Sequence, residues 1–394
     1  MPALTPDLVV RRARDAVMLS FLLNGFGFAT WVSRIPEARH TLALSNGRLG
    51  LLLLAISVGS LVAMPSTGAL VARFGAAAVV RAGATADVAG LIVTALGVAV
   101  VGSVPMTAAG LFAYGLGVGV WDVAMNVEGA AVERGLGRTI MPRFHAGFSL
   151  GTVAGAGVGA LATAVGVPMV AHLGVAAAAM GTLAWWSAGR FLPVASEELA
   201  ESERRSAWRA WLEPRTLLIG VMVLALAMTE GTANDWLGVA LIDGYDVSRP
   251  IGVLGFAGFV AAMTLGRVVG PVLLDRFGRL PVLWATMAMA AVGVLLIAYG
   301  QLPALVVLGI ALWGIGASLG FPVGMSAASD DQAHSAARVA VVSTIGYTAF
   351  LVGPPFVGFV ADHVGTLHAL LVVAVLLVPA ALVVPAAREQ RADG

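Results

Sequence analysis

Apolar residues fill a series of long stretches of this chain almost without charge, and polar residues gather in short clusters between them. Each stretch approaches the roughly 20 residues that carry a helix across the hydrocarbon layer of a bilayer. A helix is the form in which one isolated segment satisfies its own backbone groups there. The pattern predicts twelve spans, at 16–36, 49–72, 77–101, 106–131, 140–164, 168–190, 215–238, 251–274, 281–300, 303–327, 338–361 and 367–387. The longest polar stretch, 193–214, divides them six and six. The chain therefore reads as an all-α membrane protein with an N-terminal six-helix bundle (1–192), a linker (193–214) and a C-terminal six-helix bundle (215–394). Mixed charges from Glu197 to Arg209, with Trp208 and Trp211, fit a short surface helix within the linker.

Composition supports the membrane reading: 59% of residues are hydrophobic, 11% are charged, and the mean hydropathy is +0.92. A soluble domain carries about 25% charge. All 23 basic residues are arginine. With the N-terminus in the cytoplasm, all but five of them fall on or near the cytoplasmic side. Arg39, Arg48 and Arg249 lie in opposite loops, and Arg34 and Arg267 lie within or near spans. This positive-inside bias places both termini in the cytoplasm and, for a bacterial chain, the protein in the inner membrane. The first apolar stretch lacks a small-residue cleavage site and reads as an uncleaved helix. The absence of cysteine removes disulfides, thiolate metal sites and a cysteine nucleophile. The absence of lysine removes a Walker-type phosphate loop and Schiff-base chemistry. No nucleophile–base pair or metal constellation stands out, so neither an enzyme nor a cofactor is expected.

The two halves echo each other. At an offset of 199, Gly115, Gly117, Gly147, Gly159 and Gly166 match Gly314, Gly316, Gly346, Gly358 and Gly365. Arg73-Phe74-Gly75 after span 2 recurs as Arg276-Phe277-Gly278 after span 8. Parallel six-helix repeats are a transporter architecture, with the site near the midplane. Asp275-Arg276-Phe277-Gly278-Arg279 resembles the signature cytoplasmic loop of the major facilitator superfamily, with Pro271 where the family has a glycine. Gly68 to Ala76 keeps that glycine and Arg73 but has Ala72 for the aspartate. The segments Gly115 to Gly129, with Trp121, Asp122, Asn126 and Glu128, and His145 to Gly151, with Ser149, resemble the fourth and fifth helices of the fucose permease branch. Together with Glu230-Gly-Thr-Ala-Asn234-Asp235-Trp236 and Gly316 to Pro322, they are most similar to the YbjJ-like bacterial inner-membrane carriers.

Ionisable groups inside the spans carry the functional reading, since each costs about 2.5–3.5 kcal/mol at a helix centre. Asp122 lies about ten residues, or about 15 Å, from the charged end of span 4, with Asn126 one turn away. Glu230 and Asn234 repeat the arrangement in span 7. An acid beside an amide is stabilised in both protonation states. The resemblance implies proton coupling at Asp122, while the family's span-1 aspartate is replaced here by Val32. Arg34 either clamps an anionic group or snorkels outward beside Glu37. His145 is either a titrating group or an interfacial one. Trp31, Trp121, Trp313 and Tyr347 either face a sugar-like ligand or pack. Arg73, Arg81 and Asp87, with Asp275 and Arg276, are expected in a cytoplasmic gate, and Arg267 is expected to pair near it. Asp235 and Trp236 are expected at the periplasmic rim. Gly353-Pro354-Pro355 and Gly320-Phe-Pro322 are expected to bend spans 11 and 10.

The sequence thus points to a monomeric secondary carrier working by alternating access. It would move a small polar organic solute, sugar-like compounds among the candidates, with protons. Its partners are the solute, protons and the lipid bilayer, with no nucleic acid and no metal. The alternative is a proton-antiport exporter of an amphipathic compound, favoured by the glycine-rich face of span 5 (Gly151, Gly155, Gly157, Gly159) and the missing span-1 acid. A non-transporting membrane sensor is the reading from outside transport.

Overall fold

The computed structural model describes residues 6–136, 140–192, 210–328, 330 and 335–389; the expected linker helix at 197–209 lies outside them. Among the described residues all regular structure is helical. Twelve helices are long and apolar enough to cross a membrane. In chain order these spans are Leu8–Thr41, Asn46–Thr67, Ala76–Val101, Val104–Glu133, Arg143–Ala164, Met169–Ala188, Pro214–Tyr245, Arg249–Phe277, Arg279–Tyr299, Pro303–Ala328, Val341–Val364 and Thr366–Ala387. Spans 1 and 7 overrun their apolar stretches most. Hydropathy marks only the part in hydrocarbon, whereas helix propagates through arginines such as Arg11, Arg12 and Arg14, which are good helix formers.

The chain forms two compact units. One comprises Met1–Ser45 and Leu51–Glu198; the other comprises Asn46–Gly50 and Leu199–Gly394. Within each, glycines let helices approach backbone to backbone. Spans 3 and 4 run antiparallel with Gly83, Gly90 and Gly97 opposite Trp121, Tyr114 and Thr107, and with Gly110 and Gly117 opposite Thr94 and Asp87. Spans 9 and 10 repeat the seam: Gly293 lies opposite Trp313, Gly309 opposite Ile297 and Gly316 opposite Ala290. Gly115 abuts Ile56 of span 2, as Gly314 abuts Phe259 of span 8. The repeat read from the sequence is thus a repeat of helix register. Gly75 and Gly278 (φ 82° and 76°) end spans 2 and 8 in the left-handed region that a Cβ disfavours, which is why both loops keep glycine there.

Five spans are interrupted, among them span 3, which ends in a π-helical stretch over Gly97–Val101, and span 12, which restarts after Leu370. In span 1, the helix Pro6–Val32 stops and a second, Ile35–Thr41, begins, because Pro36 has no N–H to give the Val32 carbonyl. In span 10, Pro303–Ala317 gives way to Gly320–Ala328, since Pro322 leaves the Ser318 carbonyl without its helical donor. Span 7 stays wound but widens into a π-helical turn over Ala233–Leu237. Span 11, by contrast, stays helical over Ser335–Val364 with Pro354 and Pro355 inside it.

Candidate functional site

In the first unit, Asp122 sits on span 4 with its side chain partly accessible. The Asn126 amide donates to the Asp122 carbonyl at 2.8 Å and reaches its Oδ1 at 3.4 Å. Among the described residues no arginine or histidine lies within ion-pair distance of this carboxylate. The neighbouring Trp121 is sealed, and its indole donates to Ser20 Oγ of span 1 at 2.7 Å. That bond fixes the two spans around the acid. Trp31 is equally buried, but its indole nitrogen has no partner. Asn24 of span 1, which no motif in the sequence marked, is buried with its amide nitrogen unpartnered one turn from Ser20.

Arg34 is 2% exposed and fully engaged. It donates from Nε to His172 Nδ1 at 3.0 Å and from Nη2 to the Val167 carbonyl at 2.9 Å, and Nη1 pairs with Glu37. Its planar fork is therefore held by the outer ends of spans 1 and 6. His172 was invisible as a partner because it lies 138 residues away. His145 is exposed and edges onto Phe21. Asp87 does not join Arg73 or Arg81 through any hydrogen bond or ion pair among the described residues. Its backbone packs against Gly117, the residue is 1% exposed, and its Oδ1 is unpartnered. Arg73 stacks on Phe74 instead, and Arg81 on Trp185.

In the second unit, Glu230 of span 7 accepts from Arg267 Nη2 of span 8 at 3.0 Å, with both side chains partly accessible. Arg267 Nε also donates to the Ser318 carbonyl at 3.3 Å, the acceptor that Pro322 leaves free. Arg267, expected to pair near the cytoplasmic gate, thus pairs with Glu230 of span 7 and also reaches the carbonyl that the break in span 10 leaves free. The Asn234 side chain lies on the π turn, buried and without a hydrogen bond among the described residues. Tyr347 belongs to an aromatic group with Phe321 and Phe350. Asp275 and Arg276 are exposed, and Arg276 stacks on Phe277 as Arg73 does on Phe74. The arginine of that loop engaged in ion pairing is Arg279, which binds Asp330 at 2.8 Å, with Arg215 on the same carboxylate at 2.9 Å. No sequence motif marked Asp330. Among the described residues no cluster of histidine, aspartate and glutamate could hold a metal ion.

Among the described residues twelve candidate membrane-crossing helices, repeated in register, hold carboxylates within their spans. Residues 238–393 match the family model described as Major Facilitator Superfamily. The chain is 34% identical over 348 residues to an uncharacterized transporter of Sinorhizobium fredii, covering 88% of this chain and 90% of that protein. It is 33% identical over 348 residues to an uncharacterized MFS-type transporter of Yersinia pestis, covering 87% and 88%. The crystal structure of a mutant of the nucleoside transporter NupG superposes with a TM-score of 0.79 over 96% of this chain and 99% of that one, at 16% identity, and so shares the fold. The chain belongs to the major facilitator superfamily. It is a multi-pass membrane transporter, not an enzyme.

Proposed function

We propose that this transporter is a proton-coupled secondary carrier that moves a small, polar, sugar-like solute across the bacterial inner membrane by alternating access. In this reading 1–192 and 215–394 are the rocking bundles, 193–214 is the cytoplasmic linker, both termini are cytoplasmic and the working unit is a monomer. The branch is that of the fucose permeases, nearest the YbjJ-like carriers. The observation that carries it is Asp122: a partly accessible carboxylate on an apolar span, with an amide on its own helix and no cation beside it among the described residues. Such a group is held at a cost of about 2.5–3.5 kcal/mol, which a proton-carrying role explains. Asn126, Trp31, Tyr347 and His145 are the accompanying solute-contact candidates. Arg73, Asp87, Asp275 and Arg276 remain the proposed cytoplasmic gate, with the aromatic stacking of both arginines as support. One proton crossing 100 mV supplies about 2.3 kcal/mol, or on the order of 50-fold accumulation.

The glycine face of span 5, on which the export alternative rests, serves helix packing at Gly151 and Gly155, while a Cβ at Gly157 would meet nothing within 4 Å. Gly151 and Gly155 abut the Leu22 and Phe26 carbonyls of span 1, so close packing accounts for them. The test uses purified protein. Sorbitol, D-xylose, L-fucose and uridine are screened for a rise in Tm, and a stabilising solute is then followed in proteoliposomes. Asp122→Asn should abolish uptake driven by a proton gradient and spare counterflow. Uptake that survives with unchanged proton dependence removes the coupling role.

A further inference from the structure

The π turn of span 7 concentrates polar groups that nothing in the fold uses. Among the described residues Thr232 Oγ1 and Trp236 Nε1 have no hydrogen-bond partner, and the two residues are 3% and 1% exposed. Asn234 is 8% exposed. Asp235 is partly accessible, and among the described residues no cation or hydrogen-bond donor meets its carboxylate. Thr232 precedes Asp235 by three residues and Trp236 by four, spacings that share one side of a helix, whereas Asn234, two residues on, lies on the opposite side. Trp236 lies against span 11, where a Cβ at Gly358 would come within 3.0 Å of its ring. A π turn inserts an extra residue and is weaker than α-helix, and such turns recur at functional sites. Glu230, one turn earlier, has its charge met by Arg267.

The first unit shows what a purely structural solution at this place looks like. Gly159 faces Ser33 in span 1 as Gly358 faces Trp236 in span 7, so the break at Ser33–Arg34 and the π turn occupy equivalent positions. There, Arg34 fills the interruption and satisfies three acceptors. The residue in register with Arg34 is Leu237, so the second unit has no cation for Asp235 at that place.

We infer that Thr232 and Asp235 form a solute seat of the second unit, which takes the hydroxyl groups of a neutral, hydroxyl-rich solute, and that Glu230 with Arg267 is its structural buttress. Hydroxyls donate to the Asp235 carboxylate, while the Thr232 hydroxyl both donates and accepts. This deepens the carrier reading and rests on it.

The test works with a panel of solutes and a chemical probe of the carboxylate itself. Dicyclohexylcarbodiimide, which partitions into the bilayer, reacts with protonated carboxyl groups. The carboxyl oxygen bonds to the carbodiimide carbon and the acid proton moves to one nitrogen, giving an O-acylisourea. The acyl group then shifts from oxygen to nitrogen, which breaks the bond between the carboxyl carbon and the bridging oxygen and leaves a stable N-acylurea that holds every atom of both reactants. Full-length protein in proteoliposomes is treated at one fixed pH and the adducts are mapped by mass spectrometry. The expected result is labelling of Asp235 and none of Glu230, with at least tenfold slower labelling of Asp235 in the presence of sorbitol, D-xylose, L-fucose or uridine. Asp235→Asn should remove that adduct and retain the fold, read as an unchanged Tm. Labelling of Glu230 with Asp235 untouched overturns the assignment, as does labelling of Asp235 that every solute leaves unaltered. The two readings fail separately. A panel in which no solute raises Tm undermines the carrier of polar solutes, whereas a solute that stabilises the protein without shielding Asp235 undermines the seat alone.

Discussion

The first helix of each unit is interrupted at the same register, and the two interruptions are built in opposite ways. In span 1, Pro36 breaks the helix, and Arg34 closes the gap on Glu37, His172 and the Val167 carbonyl. In span 7 the residue in register with Pro36 is Val239, which keeps its N–H; the chain stays wound, through a π turn, and among the described residues Asn234 and Asp235 find no partners. The acids inside the spans differ as well. Asp122 of span 4 is replaced, at the 199-residue offset, by Phe321 of span 10, which joins Tyr347 and Phe350. Glu230 and Arg267 pair in the second unit, where the registered residues of the first are Gly27 and Met64. One scaffold thus carries two different polar sets. A repeat conserves what packing requires and frees what lines a polar site to diverge.

The largest expected effect tests the shared scaffold. A Cβ at Gly90 would strike the Tyr114 backbone nitrogen, and one at Gly293 would lie 2.6 Å from that of Trp313. Gly90→Leu and Gly293→Leu should each cost about 3 kcal/mol or more, the upper range of overpacking. Thermal unfolding in detergent should show equal losses, and a much milder loss at Gly293 would mean that the two seams are not equivalent.

Next comes the pair that only the second unit has. Arg267→Met leaves Glu230 uncompensated and should cost about 2 kcal/mol, less than the roughly 3–5 of a sealed pair because both side chains keep some access to solvent. Adding Glu230→Gln should recover most of that loss. A double mutant no more stable than Arg267→Met alone would show that the two charges are uncoupled in the fold.

The smallest effect returns to symmetry. Arg73 and Arg276 each lie 5.2 Å from the ring of the following phenylalanine. Exposed cation–π contacts are worth about 0.5–1 kcal/mol, so Arg73→Gln and Arg276→Gln should lower Tm slightly and to the same degree. A large loss at Arg73 alone would reveal a partner particular to the first unit.

Hydropathy by itself determined that there are twelve spans, where they lie and that they repeat, because a bilayer demands apolar length and a register of small residues demands glycine at fixed intervals. It also marked Asp122 and Asn126, whose relation is set within one helix. Only the tertiary structure decided which groups meet across helices. It joined Glu230 to Arg267 beside a carbonyl freed by Pro322, closed Arg34 on His172, buried Asp87 against Gly117, and left Asp235 open beside a π turn. Pairing between helices depends on rotation about each helix axis and on side chains distant in sequence, and a linear pattern of polar and apolar residues fixes neither.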